Sequence, residues 1–258
     1  MAKKVVQSVD RALKLLEILI DEKKEISLSK ISEMANLNIS TTHRLLNTLA
    51  YRGFVTQTEE NSKYKLGYRL FEIAGILEDQ INLKRIVRPY LEEIVNKYNE
   101  TANLVVLDGS EVVYVDQVES TNMMRMFAQV GSKGPAHSLG SGKALLAYLS
   151  EDRLDKLLNE MELKEFTENT ITDPEKLKKH LKEIKEQGYA IDEEEMEEGV
   201  CCTAAPIRNR DGKVIAAISV SGPNIRIDNQ FLQQKLVPLV KKQAEKISQR
   251  LKELNIKR

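Results

Sequence analysis

The residues best suited to chemistry lie in the second half of the chain. Residues 131–149, GSKGPAHSLGSGKALLAYL, gather small and polar side chains ahead of a helical apolar pattern. Gly140-Ser141-Gly142-Lys143 superficially suggests a phosphate loop, and fails that pattern twice. His137, not Gly, stands five residues before Gly142, and Ala144 occupies the place of the Ser or Thr that holds magnesium. A glycine loop entering a helix still lets a ligand approach the backbone and offers free N–H groups to an anion. The competing reading is a tight packing turn. In VIAAISVSG, Ser219 and Ser221 are two apart and point to one face of a strand. Cys202 falls on the neighbouring strand pattern, and Asp192 ends GYAIDEEE. Hydroxyls, a thiol and helix-start amides around a small cavity suit an oxygen-rich metabolite such as a keto or hydroxy acid. Asp192 repels a carboxylate unless it meets the hydroxyl end of such a ligand.

Cys202 with His137 is the one pairing that resembles a nucleophile and its base. A cysteine in an apolar strand is ordinarily inert core, and no Ser-His-Asp order or carboxylate pair stands out, so no catalytic residue is assigned. The alternative that remains is a metabolic enzyme with an N-terminal regulatory module. Three scattered histidines and no Cys-x-x-Cys leave a metal site without support, and no cofactor is expected.

A second constellation lies near the N-terminus, in SLSKISEMANLNISTTHRLLNTL, residues 27–49. Leu28, Ile31, Met34 and Ala35 recur at helical spacing, then Asn36-Leu37-Asn38 interrupts. Ser40 is the expected cap of a second helix whose apolar side is Leu45, Leu46 and Leu49. Its other side carries Ser40, Thr41, His43, Arg44, Asn47 and Thr48, with Thr42 beside them. A helix docked in the major groove needs this: a rigid apolar back, and donors and acceptors that reach phosphates and base edges. On the segment alone, an ordinary helical hairpin with a solvated face is an equal reading.

The flanking elements decide between them. Residues 8–22 predict a helix with Val9, Leu13, Leu16 and Ile20 on one face and Ser8 or Asp10 as its cap. After residue 53, Phe54-Val55-Thr56 and Lys63-Tyr64-Lys65-Leu66 are short strands around a polar turn, a wing in which Lys63 and Lys65 lie along phosphate or a minor groove. Three helices and a two-stranded ribbon give a winged helix-turn-helix over residues 1–67. Residues 68–82 predict a linker helix whose stripe of Leu70, Ile73, Ala74, Leu77 and Ile81 either meets a second copy of the chain or packs on its own domain. Residues 83–258 predict an α+β domain, an antiparallel sheet flanked by helices. There, a helix containing Pro89 kinks or restarts at that residue. Strands follow at 103–107, 111–117 and 123–130, helices at 151–160 and 174–187, strands at 188–192, 200–207 and 214–221, and a closing helix from 228 to about 254.

Composition agrees with this division of labour. The 258 residues are 41% hydrophobic and 30% charged, with a net charge of zero. Residues 1–70 hold 12 Lys and Arg against 8 Asp and Glu, a balance of +4, and the remainder balances at −4. A basic front end on an acidic body suits a protein whose N-terminal part alone meets phosphate. No apolar run approaches the roughly 20 residues of a membrane span, and the N-terminus lacks a signal-peptide pattern, so no membrane partner and a cytoplasmic location are expected. Cys201 and Cys202 are adjacent and expected to be reduced.

The sequence resembles the IclR family of bacterial transcriptional regulators across nearly its full length. The runs that carry the resemblance are SVDRALKLLEIL, LSKISEMANLNISTTHRLLNTLAYRGFV with YKLG, GPAHSLGSGKALLA, GYAIDEEEMEEGVCCTAAPI and DGKVIAAISVSGP. The resemblance implies a winged helix-turn-helix, a dimerising linker helix and a GAF-like effector-binding domain. It implies action as a homodimer or dimer of dimers on a palindromic double-stranded DNA operator; a repressor is expected rather than an activator. It implies DNA contacts from Ser40, Thr41, Thr42, His43, Arg44 and Asn47, with Lys63 and Lys65 in the wing. It further implies an effector pocket at Gly140, Ser141, Asp192, Cys202, Ser219 and Ser221; from the chemistry of those residues the expected ligand is a small keto, hydroxy or aromatic acid. Two departures border that pocket: Gly134-Pro135 replaces the usual Leu-Pro, and Ser138-Leu139 replaces the usual Thr-Ala. The resemblance therefore does not carry the identity of the ligand.

Overall fold

The computed structural model describes residues 5–58, 60–73 and 83–255. It divides into two compact units, Met1–Ile81 and Asn82–Arg258. The first contains α1 (Gln7–Glu22), α2 (Leu28–Ala35), α3 (Ile39–Tyr51), β1 (Val55–Gln57) and β2 (Tyr64–Leu66). The two strands pair antiparallel with Val55 opposite Leu66. Leu15, Leu19, Ile31, Leu46, Val55 and Tyr64 are almost completely enclosed and form the core.

The start and face of α1 differ from expectation. The helix begins at Gln7 with no side-chain cap, so Ser8 and Asp10 lie inside its first turn. Val9, Leu13 and Ile20 are each more than half exposed, while Leu15, Leu16, Ile18 and Leu19 are buried. The sequence holds two overlapping apolar stripes, and α2 and α3 pack on the one centred on Leu15 and Leu19.

The turn between α2 and α3 is built by asparagines. Asn36 takes the left-handed conformation, φ 54°, that ends α2 and that asparagine tolerates well. Asn38, not Ser40, caps α3: its Oδ1 accepts from the Thr41 N–H at 2.8 Å and from the Ser40 hydroxyl at 2.9 Å. Removing such a cap costs about 1 kcal/mol. Asn38→Ala is expected to speed hydrogen exchange of the Thr41 amide about fivefold; an unchanged rate would show that the cap contributes nothing.

Residues 69–73 are helical, and the rest of the expected linker helix, residues 74–82 with Ala74, Leu77 and Ile81, lies outside the described residues.

The second unit contains α4 (Leu83–Tyr98), β3 (Thr101–Asp108), β4 (Glu111–Val118), β5 (Lys133–Pro135), α5 (Gly140–Leu146), α6 (Glu151–Glu160), α7 (Pro174–Gln187), β6 (Ala190–Glu193), β7 (Val200–Arg208) and β8 (Val214–Pro223). A turn at Asn229–Phe231 and a π-helical turn at Leu232–Leu236 lead into α8 (Val237–Glu253). The six strands form one antiparallel sheet in the order β5-β4-β3-β8-β7-β6. Helices α4 and α8 cover one face, and α5 with α7 cover the other. The α+β expectation holds. Pro89 sits within α4, which runs unbroken from Leu83 to Tyr98.

The strand expected at 123–130 is absent; the sheet edge is β5 instead, with Glu111 opposite Pro135. Side chains take up the carbonyls that a ladder would use: Thr101 Oγ1 donates to the Met126 carbonyl at 2.9 Å, and Arg226 Nη2 to the Met124 carbonyl at 3.0 Å. A bulge in the β3–β4 register, between Leu104 and Val105, sets Tyr114 opposite Val105 and so on the face covered by α5.

Candidate functional site

Helix α3 turns Leu46 fully inward and leaves Ser40, His43, Arg44, Asn47 and Thr48 exposed, with Thr41 half-buried. Thr42 does not join that surface. It is completely buried and its hydroxyl donates to the Asn38 carbonyl at 3.1 Å. Position 42 lies one turn before Leu46 and shares its inward face, so Thr42 supports the turn rather than the exposed row. In the wing, Lys65 is exposed and Lys63 half-buried. Glu25, just before α2, accepts from Thr58 Oγ1 at 2.6 Å and Asn61 Nδ2 at 2.9 Å. These bonds, and then Lys63 and Lys65, hold its carboxyl below its ordinary pKa. The ribbon is thus tied to the helical hairpin with both lysines on it.

In the second unit, strand register assembles the other set. Asp192 lies opposite Cys202, Cys202 opposite Ser221, and Ser221 opposite Thr101. Two residues along, Ala190, Ala204, Ser219, Asn103 and Gln117 form the next row on the same face. Asn103 Nδ2 lies 3.4 Å from the hydroxyls of both Ser219 and Ser221, and Gln117 Nε2 donates to Asn103 Oδ1 at 2.8 Å. The start of α5 roofs this row. A Cβ on Gly140 would stand 3.4 Å from Cys202 Sγ and from the Asp192 backbone nitrogen. One on Gly142 would fall 2.3 Å from the Ala136 carbonyl oxygen, a distance no side chain survives. Gly142 is therefore the condition for the Ala136 backbone to pass this close to α5, while Gly140 packs against Asp192 and Cys202 at ordinary contact distance. Asp192, Cys202, Ser219 and Ser221 come together beneath Gly140, Ser141 follows in the same helical turn, and all six are buried.

The electrostatics of this cluster favour protonated groups. Burial pushes the Asp192 carboxyl up to about 7; the Lys143 charge and the backbone N–H groups of Glu195 and Met196 pull it down only in part. The Glu195 N–H reaches Asp192 Oδ1 at 2.8 Å. Burial also raises the Cys202 thiol, with Asp192 adding to the effect. Burial pushes the Tyr114 phenol up to about 12, and the neighbouring Cys202 and Asp192 add to it. A raised thiol is the opposite of an activated nucleophile. His137, its supposed base, is spent elsewhere: its Nε2 contacts the Lys164 carbonyl at 3.0 Å, and burial lowers its pKa.

Behind α5, Lys143 is completely buried and ion-paired with Glu195, whose carboxyl burial pushes up. Thr170 Oγ1 donates to the Glu195 carbonyl at 2.6 Å and Thr167 Oγ1 to the Glu194 carbonyl at 2.6 Å, fixing the loop that carries the pair. Asn103, Gln117, Thr101, Tyr114 and the Lys143–Glu195 pair were not assigned from sequence. Asn103 had a signal, a lone amide at the head of the apolar run LVVL. Tyr114 had none, because its facing depends on the bulge.

No helix among the described residues is long and apolar enough to cross a membrane, and no group of three or more His, Cys, Asp or Glu among them is placed to hold a metal ion.

Comparison with known proteins gives the same two parts. The family profile for the IclR helix-turn-helix domain matches residues 8–59, and that for the bacterial transcriptional regulator IclR C-terminal domain matches residues 77–249. The Transcriptional repressor IclR of Escherichia coli is 41% identical over 224 residues, covering 86% of this chain and 82% of that protein. The crystal structure of Thermotoga maritima IclR superposes with a TM-score of 0.77 at 32% identity, over 95% of this chain and 99% of that one. An IclR homologue from Microbacterium hydrocarbonoxydans, solved in complex with 4-hydroxybenzoate, superposes with a TM-score of 0.84 at 26% identity, over 95% of this chain and 99% of that one.

Proposed function

The chain belongs to the IclR family of bacterial transcriptional regulators, and from that premise we propose that it represses transcription from an operator it releases or grips according to a small organic acid. Family membership makes it a DNA-binding transcriptional regulator, and its relatives are regulators, not enzymes. The finer reading has the exposed row of α3, led by Arg44 with Ser40, Thr41, His43 and Asn47, reading the major groove, while Lys63 and Lys65 follow the phosphates. The chain works in the cytoplasm as a homodimer or dimer of dimers. Residues 1–67 bind DNA, residues 68–82 link and dimerise, and residues 83–258 hold a GAF-like effector site. Effector binding changes how the linker spaces two DNA-binding units over half-sites about one helical turn apart.

The observation that carries the effector reading is the row Asp192, Cys202, Ser221, extended by Ser219 and Asn103, beneath the Gly140–Ser141 turn. Hydroxyls, a protonated thiol and helix-start N–H groups suit a carboxylate, and the half-protonated Asp192 suits a hydroxyl or keto oxygen. The 4-hydroxybenzoate complex of the Microbacterium homologue favours the same ligand class, a hydroxy, keto or aromatic acid. A thermal-shift screen of such acids tests this, since a ligand of the folded state must stabilise it. With the acid found, Ser219→Ala/Ser221→Ala is expected to weaken its effect on operator release at least tenfold while ligand-free operator binding stays within twofold. Equal loss of operator binding in a folded double variant would contradict the pocket assignment.

A further inference from the structure

A second cleft in the C-terminal unit, about 440 Å³ in volume, lies between β7, the β7–β8 turn and α8. It shares no residue with the effector pocket. Its lining carries four cations, Arg208, Arg210, Lys241 and Lys252, against one carboxylate, Glu245, although residues 71–258 as a whole balance at −4. Two of the cations are held by neutral acceptors. Arg208 Nη1 donates to the Gly212 carbonyl at 3.0 Å, and its guanidinium lies 4.5 Å from the Tyr148 ring centroid. Lys241 Nζ donates to the Gln187 carbonyl at 2.7 Å. Among the described residues, Arg210 is the one of the four that pairs with a carboxylate, Asp211 at 3.1 Å, and it also meets the Asn255 amide oxygen. Carbonyls orient a cation without cancelling its charge, so a positive field is kept over a partly apolar floor that includes Pro206 and Ala244.

We propose that this cleft binds a small phosphorylated metabolite, its phosphate facing the arginines and lysines and its carbon body resting on the floor. The phosphate monoester carries nearly two charges at neutral pH, which matches a cationic surplus better than a monocarboxylate does. The volume falls in the range of small-ligand sites and is too small to enclose a duplex. Such a site gives the regulator a second input, chemically distinct from the acid read at Ser219 and Ser221.

Isothermal titration of the full chain with ribose 5-phosphate, and with ribose and inorganic phosphate for comparison, tests it. Saturable binding of ribose 5-phosphate, tighter than inorganic phosphate and absent for ribose, is expected. Arg208→Met/Lys241→Met should weaken it at least tenfold, and Ser219→Ala should leave it unchanged. The exposed reversal Lys252→Glu gives the same weakening should the double variant not fold. The proposal is overturned by any of four results: no saturable binding of either phosphate; equal affinity for ribose 5-phosphate and inorganic phosphate; unchanged affinity in the folded variants; or displacement of the ligand by a short non-operator duplex in an Arg44→Ala chain, which would assign the cleft to nucleic acid.

Discussion

Lys143→Met is expected to destabilise the C-terminal unit by about 3–5 kcal/mol at pH 8, because it leaves the buried Glu195 carboxylate without its cation. The pair itself need not be net stabilising, since both ions were taken out of water to make it. The test is therefore comparative: Lys143→Met/Glu195→Leu should recover most of the loss. The single-variant loss should shrink toward pH 5. Burial already pushes the Glu195 carboxyl up, so at low pH it takes a proton and ceases to be an uncompensated charge. Urea unfolding at pH 8 and pH 5 measures both. A single variant within 0.5 kcal/mol of the parent, on the order of an ordinary surface change, would show that the pair is not sealed as described.

Asp192→Asn should act in the opposite direction and stabilise the same unit. The carboxyl is 2% exposed and pushed up to about 7 from an ordinary 3.8. A raised pKa means that the folded state prefers the protonated form: stability is fully present below pH 3.8 and is lost as pH rises through 7. At pH 8 the parent then carries a penalty on the order of 4 kcal/mol that asparagine, an uncharged isostere, does not. The substituted amide also retains an oxygen for the Glu195 N–H. The gain should fall within about 1 kcal/mol by pH 4.5, since the parent is then mostly relieved by its own proton. Destabilisation at pH 8 would contradict the burial argument. A stabilised but effector-blind variant would mark Asp192 as a residue kept for ligand recognition at the expense of stability.

Much of this is legible in the sequence alone. The helical hairpin at 27–49 announced itself through the spacing of Ile31, Met34, Leu46 and Leu49, and the strands at 101–118 and 200–223 through apolar runs broken at Asp108-Gly109 and Asn209–Gly212. Ser219 and Ser221 could be put on one face because a strand alternates with period two. What failed depended on partners far away in sequence. The apolar residues of α1 allowed two stripes, and only α2 and α3 chose between them. Residues 123–130 have strand composition, yet Thr101 and Arg226 take their carbonyls. Thr42 has the chemistry of a base-contacting residue but shares a helical face with Leu46. The facing of Tyr114 turns on one bulge, and the depth of Lys143 on the packing of α5 against β7, β8 and α7, all far away in sequence.

The most direct test of the regulator reading is fluorescence anisotropy of the purified chain with its own upstream region, over a range of salt, for the parent and Arg44→Ala. Sequence-specific binding is expected, with affinity falling steeply as salt rises. Arg44→Ala should lose about 10-fold to 100-fold in affinity with its fold intact, as loss of one good base or phosphate contact implies. Absence of specific binding at every salt concentration, or full affinity in Arg44→Ala, would contradict the assignment of α3 as the DNA-reading helix.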